Sequence, residues 1–231
     1  MPCRPQMSTA CLLATLILAA FSIDAYAAGP APDQWRETVR AFAVLHFRHP
    51  AWGYSHSVRD YETAKGLAHE DDVVLDDDVL FAAAYLHDMA AFAPWDREKE
   101  GIDHADEGAR VIDSVLAGSG FPMTKMDAVR DAIRTHMFDR RPIGPEATYL
   151  HDADALDWLG AIGAVRVIAL VDPNGGEPDG PNAIHMLEDN LAHVPAGVIS
   201  PAARRRLPAL ATELRSFIEA VRRETDQLRM L

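Results

Sequence analysis

The sequence predicts an all-α fold, a single multi-helix bundle, on three observations. Apolar residues recur three to four apart in nearly every segment, the mark of helices with one buried face. Period-two runs rich in Val, Ile and Thr are absent, so no segment reads as a strand. Proline, glycine and acidic clusters break the helical stretches at helix-like lengths. Of 231 residues, 48% are hydrophobic and 25% charged, which excludes global disorder.

The first element reads as an address. Arg4 and the amino terminus precede the apolar run ACLLATLILAAF, and Ala25-Tyr26-Ala27 fits a small-x-small cleavage site. Residues 1–27 are therefore expected to be a secretory signal peptide, too short to span a bilayer. Cleavage after Ala27 leaves residues 28–231 and removes both cysteines, Cys3 and Cys11. The mature chain then has no disulfide, cysteine ligand or cysteine nucleophile. No later apolar run is long enough to hold the chain in a membrane after cleavage, and the expected location is the bacterial periplasm.

The remaining elements follow in order. A helix is expected over residues 34–47, with Trp35, Val39, Phe42, Ala43 and Leu45 apolar and Asp33 as its cap. Pro50 and Gly53 break the chain before a second helix over 56–69. Asp76-Asp77-Asp78 opens a third, where carboxylates favour the helix dipole, and it is expected to run to about Phe92 before Pro94. Helices over 103–116 and 124–137 come next, then a long one over 145–171. Asp172 to Pro181 (DPNGGEPDGP) is the clearest linker, and helices over 182–192 and 202–228 follow it. The mature domain, 28–231, thus divides into a core at about 52–171 and a C-terminal addition at 182–231.

Charge narrows the partners. Against 22 Lys+Arg stand 35 Asp+Glu, for a formal net charge of -13. Such acidity disfavours a nucleic-acid polymer or an anionic membrane, which need a basic surface. It leaves room for a divalent cation, which takes carboxylates and imidazoles.

Several polar residues sit where the pattern calls for apolar ones. The third helix, VLFAAAYLHDMAAF, is apolar nearly all round, and His87 and Asp88 are its only strongly polar residues. A buried carboxylate must be ion-paired, hydrogen-bonded or metal-bound. In the long helix, Arg166 is the one charge of AIGAVRVIALV, and His151-Asp152-Ala153-Asp154-Ala155-Leu156-Asp157 precedes it. At helical spacing His151, Asp154 and Asp157 share a face. His56, His104 and His136 each read alone as capping or packing residues. Together with His87-Asp88 and Asp154 they come from separate helices that a bundle can bring to one cavity.

This order of His, then His-Asp, then Asp resembles the HD-domain superfamily of metal-dependent phosphohydrolases, over about residues 52–171. SHSVRDYETAKGLA is similar to the family's opening His helix, and AAAYLHDMAAF to its apolar helix ending in Leu-His-Asp. HADEGARVIDSVL and IRTHMF are similar to its intervening His helices. YLHDADALDWLGAIGAVR resembles the Asp-Ala-Asp-x-Leu-Asp-x-x-Gly-Ala-x-Gly helix of small bacterial HD hydrolases. The resemblance implies metal ligands at His56, His87, Asp88 and Asp154, with Asp152 the second choice for the last.

It also implies that a water activated by a divalent metal hydrolyses a phosphoester or phosphoanhydride of a small phosphorylated substrate, such as a nucleotide. Two imidazoles and two carboxylates suit Mn, Fe, Ni, Zn or Mg, as one ion or two. His104 and His136 are then expected either to donate protons or hydrogen bonds to the phosphoryl group and leaving oxygen, or to bind a second metal with Asp88 as bridge. Arg59, one turn after His56, is expected to neutralise substrate charge ahead of Lys65, Arg110 and Arg140, and Asp157 to orient a ligand imidazole. Ala155 departs from the family, which often has Lys or Arg there to hold a phosphate. Two other readings stand beside the hydrolase: an HD-type di-iron oxygenase, and a periplasmic metal-binding or sensing module without turnover.

The leader reading has a direct test. N-terminal sequencing of the exported protein is expected to begin Ala28-Gly29-Pro30; a chain still beginning at Met1 would remove it.

Overall fold

The computed structural model describes residues 33–231, so the expected leader lies outside the described residues. These are all helical, with no strand among them: α1 (Gln34–His46), α2 (Tyr54–Glu70), α3 (Asp77–Leu86), α4 (His104–Val111), α5 (Asp113–Leu116), α6 (Met126–Arg134), α7 (Pro145–Asp157), α8 (Gly160–Ile168), α9 (Gly180–Gly197) and α10 (Pro201–Glu224). Short 3-10 turns follow α3 and precede α6. No described helix is long and apolar enough to cross a membrane.

Helix α3 is the axis. Every residue from Val79 to Leu86 is buried, which its nearly continuous apolar sequence requires. It packs against α1, α2, α6 and α7. Its start is held by polar groups: Asp76 accepts from the backbone N–H of Asp78 and Val79, and Lys125 bonds both Asp76 and Asp78. An N-cap of this kind satisfies donors that the first helical turn leaves open.

The third helix is shorter than the sequence suggests, ending at Leu86 instead of running to Phe92. His87 Nδ1 lies 2.9 Å from the Ala84 carbonyl, which the Asp88 N–H would take if the helix ran on. The chain turns there through a 3-10 segment, Met89–Ala91. Helix α6 stops the same way, at Arg134 instead of about residue 137, with His136 Nδ1 2.6 Å from the Ile133 carbonyl. The predicted 103–116 helix is interrupted at Ile112.

The predicted 145–171 helix is two helices, α7 and α8, broken at Trp158-Leu159. Gly160 sits at φ +62°, and a Cβ on it would come within 2.8 Å of Leu210 Cδ2. Gly163 packs against the Trp158 backbone, where a Cβ would fall at 2.3 Å. The turn needs the left-handed conformation at the first glycine and the close approach at the second.

The C-terminal helices are part of the main core. Ile184, Leu187, Leu214 and Ile218 are buried in the same cluster as Phe81 and Leu150. Two carboxylates serve the start of α10: buried Asp152 of α7 accepts from the N–H of Ile199 (2.9 Å) and Ser200 (2.6 Å), and part-buried Asp71, just after α2, from that of Ala202 (3.0 Å). Asp152 is thus committed to the α9–α10 junction. Asp152→Ala would leave the buried Ser200 N–H and the part-buried Ile199 N–H without their acceptor, the first costing about 1–3 kcal/mol and the second less. Denaturant unfolding of this variant should show a loss of about 3 kcal/mol, with metal content unchanged.

Candidate metal centre

Helices α2, α3, α4, α6 and α7 each bring a side chain to one buried point. His56 stands on the first turn of α2, His87 and Asp88 follow α3, His104 opens α4, His136 follows α6, and Asp154 lies in α7. Of the residues singled out from the sequence, these six converge. All are buried except His104, which is partly exposed.

The inner set is tight. His56 Nε2 is 3.2 Å from His87 Nε2, 3.3 Å from Asp154 Oδ1 and 3.6 Å from Asp88 Oδ2. Asp60, one turn after His56, adds an oxygen 3.1 Å from His56 Nε2. His56, Asp60, His87 and Asp154 offer ligand atoms all within 4.8 Å of one another. Asp88 faces two ways. Its Oδ2 lies 3.4 Å from His87 Nε2, while its Oδ1 lies 3.4 Å from His104 Nε2 and 3.7 Å from His136 Nε2.

Tautomers decide what such an arrangement can hold. His87 Nδ1 faces the Ala84 carbonyl, and His136 Nδ1 the Ile133 carbonyl. His56 Nδ1 faces Asp157 Oδ2 at 2.8 Å. Each outer nitrogen therefore donates, which turns the Nε2 lone pair inward, the arrangement usual for metal-ligating histidines. His136 Nε2 and both oxygens of Asp60 are buried with no hydrogen-bond partner. A single proton on His56 Nε2 can point at only one of its acceptors.

Charge gives the same answer. Four carboxylates meet here (Asp60, Asp88, Asp154, Asp157) with two guanidinium groups, Arg59 and Arg166. With neutral imidazoles the excess is two negative charges, which one divalent ion balances. Ligand atoms about 2.1 Å from an ion and at right angles stand about 3.0 Å apart, close to the separations seen. The residues fit a divalent cation.

Titration follows from the same contacts. Burial pushes the His56 imidazole down, but Asp60, Asp154 and Asp157 overcome it and raise its pKa to about 10. His87, also opposed by burial, is raised by Asp88 to about 8. Burial raises Asp60 to about 7. Burial would raise Asp154 too, yet His56 and Arg166 hold it below the usual carboxylate range. Burial and the neighbouring His87 push His136 down to about 4.

The cations are placed differently from the sequence expectation. Arg59 forks onto Asp157, at 2.8 and 2.7 Å, and lines a hollow with Glu62 and Leu210, separate from the cleft beside His104. It anchors the carboxylate that orients His56. Lys65 bonds Tyr61, Arg110 pairs with Glu107, and Arg140 with Asp103 and Asp106. The cation at the cleft is Arg166. It is 2% exposed, bonds the Ala51 carbonyl and Asp157, and stacks 3.6 Å from the Trp158 ring centre. The cleft, about 430 Å³, is lined by Asp88, Asp154, His104 and Arg166 together with Trp52, Met137, Phe138, Trp158, Met186 and Asn190.

Sequence reasoning left Asp60 and Arg166 without roles at the site. Asp60 had a signal, the i,i+4 spacing from His56 on one helix face. Arg166 had one as well, a lone charge in an apolar helix.

Comparison with known proteins bears on this arrangement. The HD domain family matches residues 53–159, the span carrying all six converging residues. Residues 53–159 are an HD domain. No curated protein matches the chain. Among solved structures, the HD domain and its C-terminal helices are similar to a Lactobacillus plantarum protein at 19% identity and TM-score 0.62, covering 84% of this chain and 98% of that one. Bacillus subtilis YpgQ in complex with ADP is similar at 18% identity and TM-score 0.62, covering 84% and 97%. A predicted HD superfamily hydrolase from an uncultured Thermotogales bacterium is similar at 25% identity and TM-score 0.55, covering 82% and 90%. The bundle is the all-α HD fold these structures share.

The raised histidines give the HD domain a pH signature. Ligand imidazoles must be neutral, so an ion displaces protons that His56 and His87 hold at neutral pH when no ion is bound. Affinity for Mn²⁺ should rise about tenfold per pH unit per proton released, steeply below about pH 8, where both give one up, and less so up to about pH 10. Calorimetric titration in buffers of different ionisation heat measures the proton count. A pH-independent affinity between pH 6 and 8 would contradict it.

Proposed function

We propose that the protein is a metal-dependent phosphohydrolase that cleaves a phosphoester or phosphoanhydride of a small phosphorylated substrate, acting in the periplasm once its leader is removed. The observation that carries this reading is the convergence of the His56 and His87 lone pairs with buried carboxylates beside a cleft that also holds a cation. His56, His87, Asp88 and Asp154 would hold the ion. When bound, a divalent metal lowers the pKa of a coordinated water and draws charge from phosphoryl oxygens.

The protein's own groups supply the rest. Arg166, fixed by Trp158, Asp157 and the Ala51 carbonyl, sets a permanent positive charge on the cleft wall, where a phosphoryl group needs neutralising. His104 faces the cleft, and Asp88 raises its pKa against the effect of burial, which favours the protonated form that a leaving oxygen needs. His136, buried and neutral, is suited to accept or hold a hydrogen bond. Trp52, Phe138, Met137 and Met186 form an apolar wall for an organic group attached to the phosphate. The ADP bound by the Bacillus subtilis neighbour supports placing nucleotides in the substrate panel.

One observation favours a second reading. Asp88 turns one oxygen to each imidazole set, which suits two ions and an HD-type di-iron oxygenase. Metal quantification and spectroscopy separate the two: a pair of irons with a mixed-valence spectrum supports the oxygenase.

The hydrolase reading is tested on the purified protein with Mn²⁺ and a panel of phosphomonoesters, phosphodiesters and nucleotides. His87→Ala and Asp88→Ala are each expected to lower metal affinity and turnover at least about 100-fold, with the helical far-ultraviolet spectrum retained. Wild-type metal content in both variants, or a metal-loaded wild type that turns over nothing in the panel, would overturn it.

A further inference from the structure

We infer that Asp60 is a fifth protein ligand of the cation site, making the donor set two imidazoles and three carboxylates. The inference rests on the cation-site part of the proposed function and is independent of the reaction catalysed.

Asp60 lies inside α2, one turn beyond His56 and on the same face. Its exposure is 0%, and neither carboxylate oxygen has a hydrogen-bond partner. The other carboxylates here are provided for. Asp157 receives Arg59, Arg166 and His56, and Asp88 lines the cleft. Neither guanidinium of the site pairs with Asp60; among the described residues its charge partners are His56 Nε2 at 3.1 Å and His87 Nε2 at 3.6 Å. Those are two of the three ring nitrogens that face inward. A fully buried carboxylate that accepts no hydrogen bond and faces only imidazoles is a costly feature for a fold to carry. An apolar residue at this helix position would avoid the cost entirely if no ion were bound.

The distances agree with a ligand role. Asp60 Oδ2 to His56 Nε2, 3.1 Å, is shorter than the His56–His87 and His56–Asp154 separations of 3.2 and 3.3 Å, and it matches neighbouring donors on one six-coordinate ion. The third carboxylate has two chemical consequences. It adds hard oxygen and negative charge, which favours a six-coordinate ion such as Mn²⁺ over tetrahedral Zn²⁺. It also leaves an octahedral ion one position for solvent or substrate instead of two, so more of the work of holding the phosphoryl group falls to Arg166 and His104.

The test uses the full chain stripped of metal, as wild type and Asp60→Asn, titrated with Mn²⁺ and with Zn²⁺ at pH 8 while binding and thermal melting are followed. Without metal, Asp60→Asn should melt higher than wild type, because a carboxylate buried without a hydrogen bond is gone. Its Mn²⁺ affinity should fall at least about tenfold, more than its Zn²⁺ affinity, and the melting shift produced by Mn²⁺ should shrink. A metal-free variant that melts lower while binding Mn²⁺ as wild type does would show that Asp60 is structural and overturn the inference. A wild type that binds neither ion would overturn the cation site itself, a different failure. Anomalous diffraction from Mn²⁺-loaded wild-type crystals needs no variant: an Asp60 oxygen about 2.2 Å from the ion supports the inference, and one beyond about 3 Å ends it.

Discussion

Two imidazole Nε2 atoms facing each other at 3.2 Å inside a ring of carboxylates are an arrangement that calls for a proton or a cation between them. The outer nitrogens of both rings are already spent on acceptors, Asp157 for His56 and the Ala84 carbonyl for His87. The inner nitrogens therefore have to meet a proton or a cation. Most of the surrounding structure can be understood as support for that point. Helix α3 is buried on every side to deliver His87 and Asp88. Helices α2 and α7 pack closely to set His56 and Asp60 against Asp154. Arg59 and Arg166 hold Asp157 from two directions, so the carboxylate behind His56 cannot swing away.

A local device recurs in the HD domain. His87 directly follows the last residue of α3 and His136 stands two residues past the end of α6, and both turn the ring N–H onto a carbonyl three residues back. One hydrogen bond then does three things. It occupies a carbonyl that would otherwise continue the helix, it fixes the tautomer, and it aims the free nitrogen at the cluster. The break between α7 and α8 is a larger version of the same economy. The turn at Gly160 folds α8 back so that Arg166 lies over Trp158 and reaches Asp157. A continuous helix would carry Arg166 further along a straight axis, away from the site.

Helices α9 and α10 lie outside the matched span of 53–159, but α9 does not lie outside the site. Met186 and Asn190 of α9 line the cleft beside His104 and Arg166. Asp152 of α7 and Asp71, the residue after α2, accept from backbone N–H groups at the start of α10. The cleft is thus shared between the HD domain and α9, and the start of α10, which packs on α9, is tied to the HD domain by hydrogen bonds.

The all-α class, the buried character of α3 and the polar pair His87-Asp88 within it were legible in the sequence, because helical periodicity and a polar residue in an apolar stretch are local signals, whereas His56, His104, His136 and Asp154 joined them only through their order along the chain and its resemblance to the HD family. The positions of helix ends were less so. His87 ends α3 through a side-chain bond that no spacing rule reveals, and the glycines of GAIG read as helix interior until the packing of Leu210 and Trp158 shows the turn they serve. Asp152 and Asp154 are two residues apart and chemically identical, yet one caps α10 and the other faces His56. Arg59 and Arg166 likewise exchanged their expected importance. Sequence by itself determined which residues share a helix face, since that follows from 3.6 residues per turn. Only the tertiary structure decided which faces meet, because the approach of groups 31 or 98 residues apart depends on how the helices pack and not on any signal within one of them.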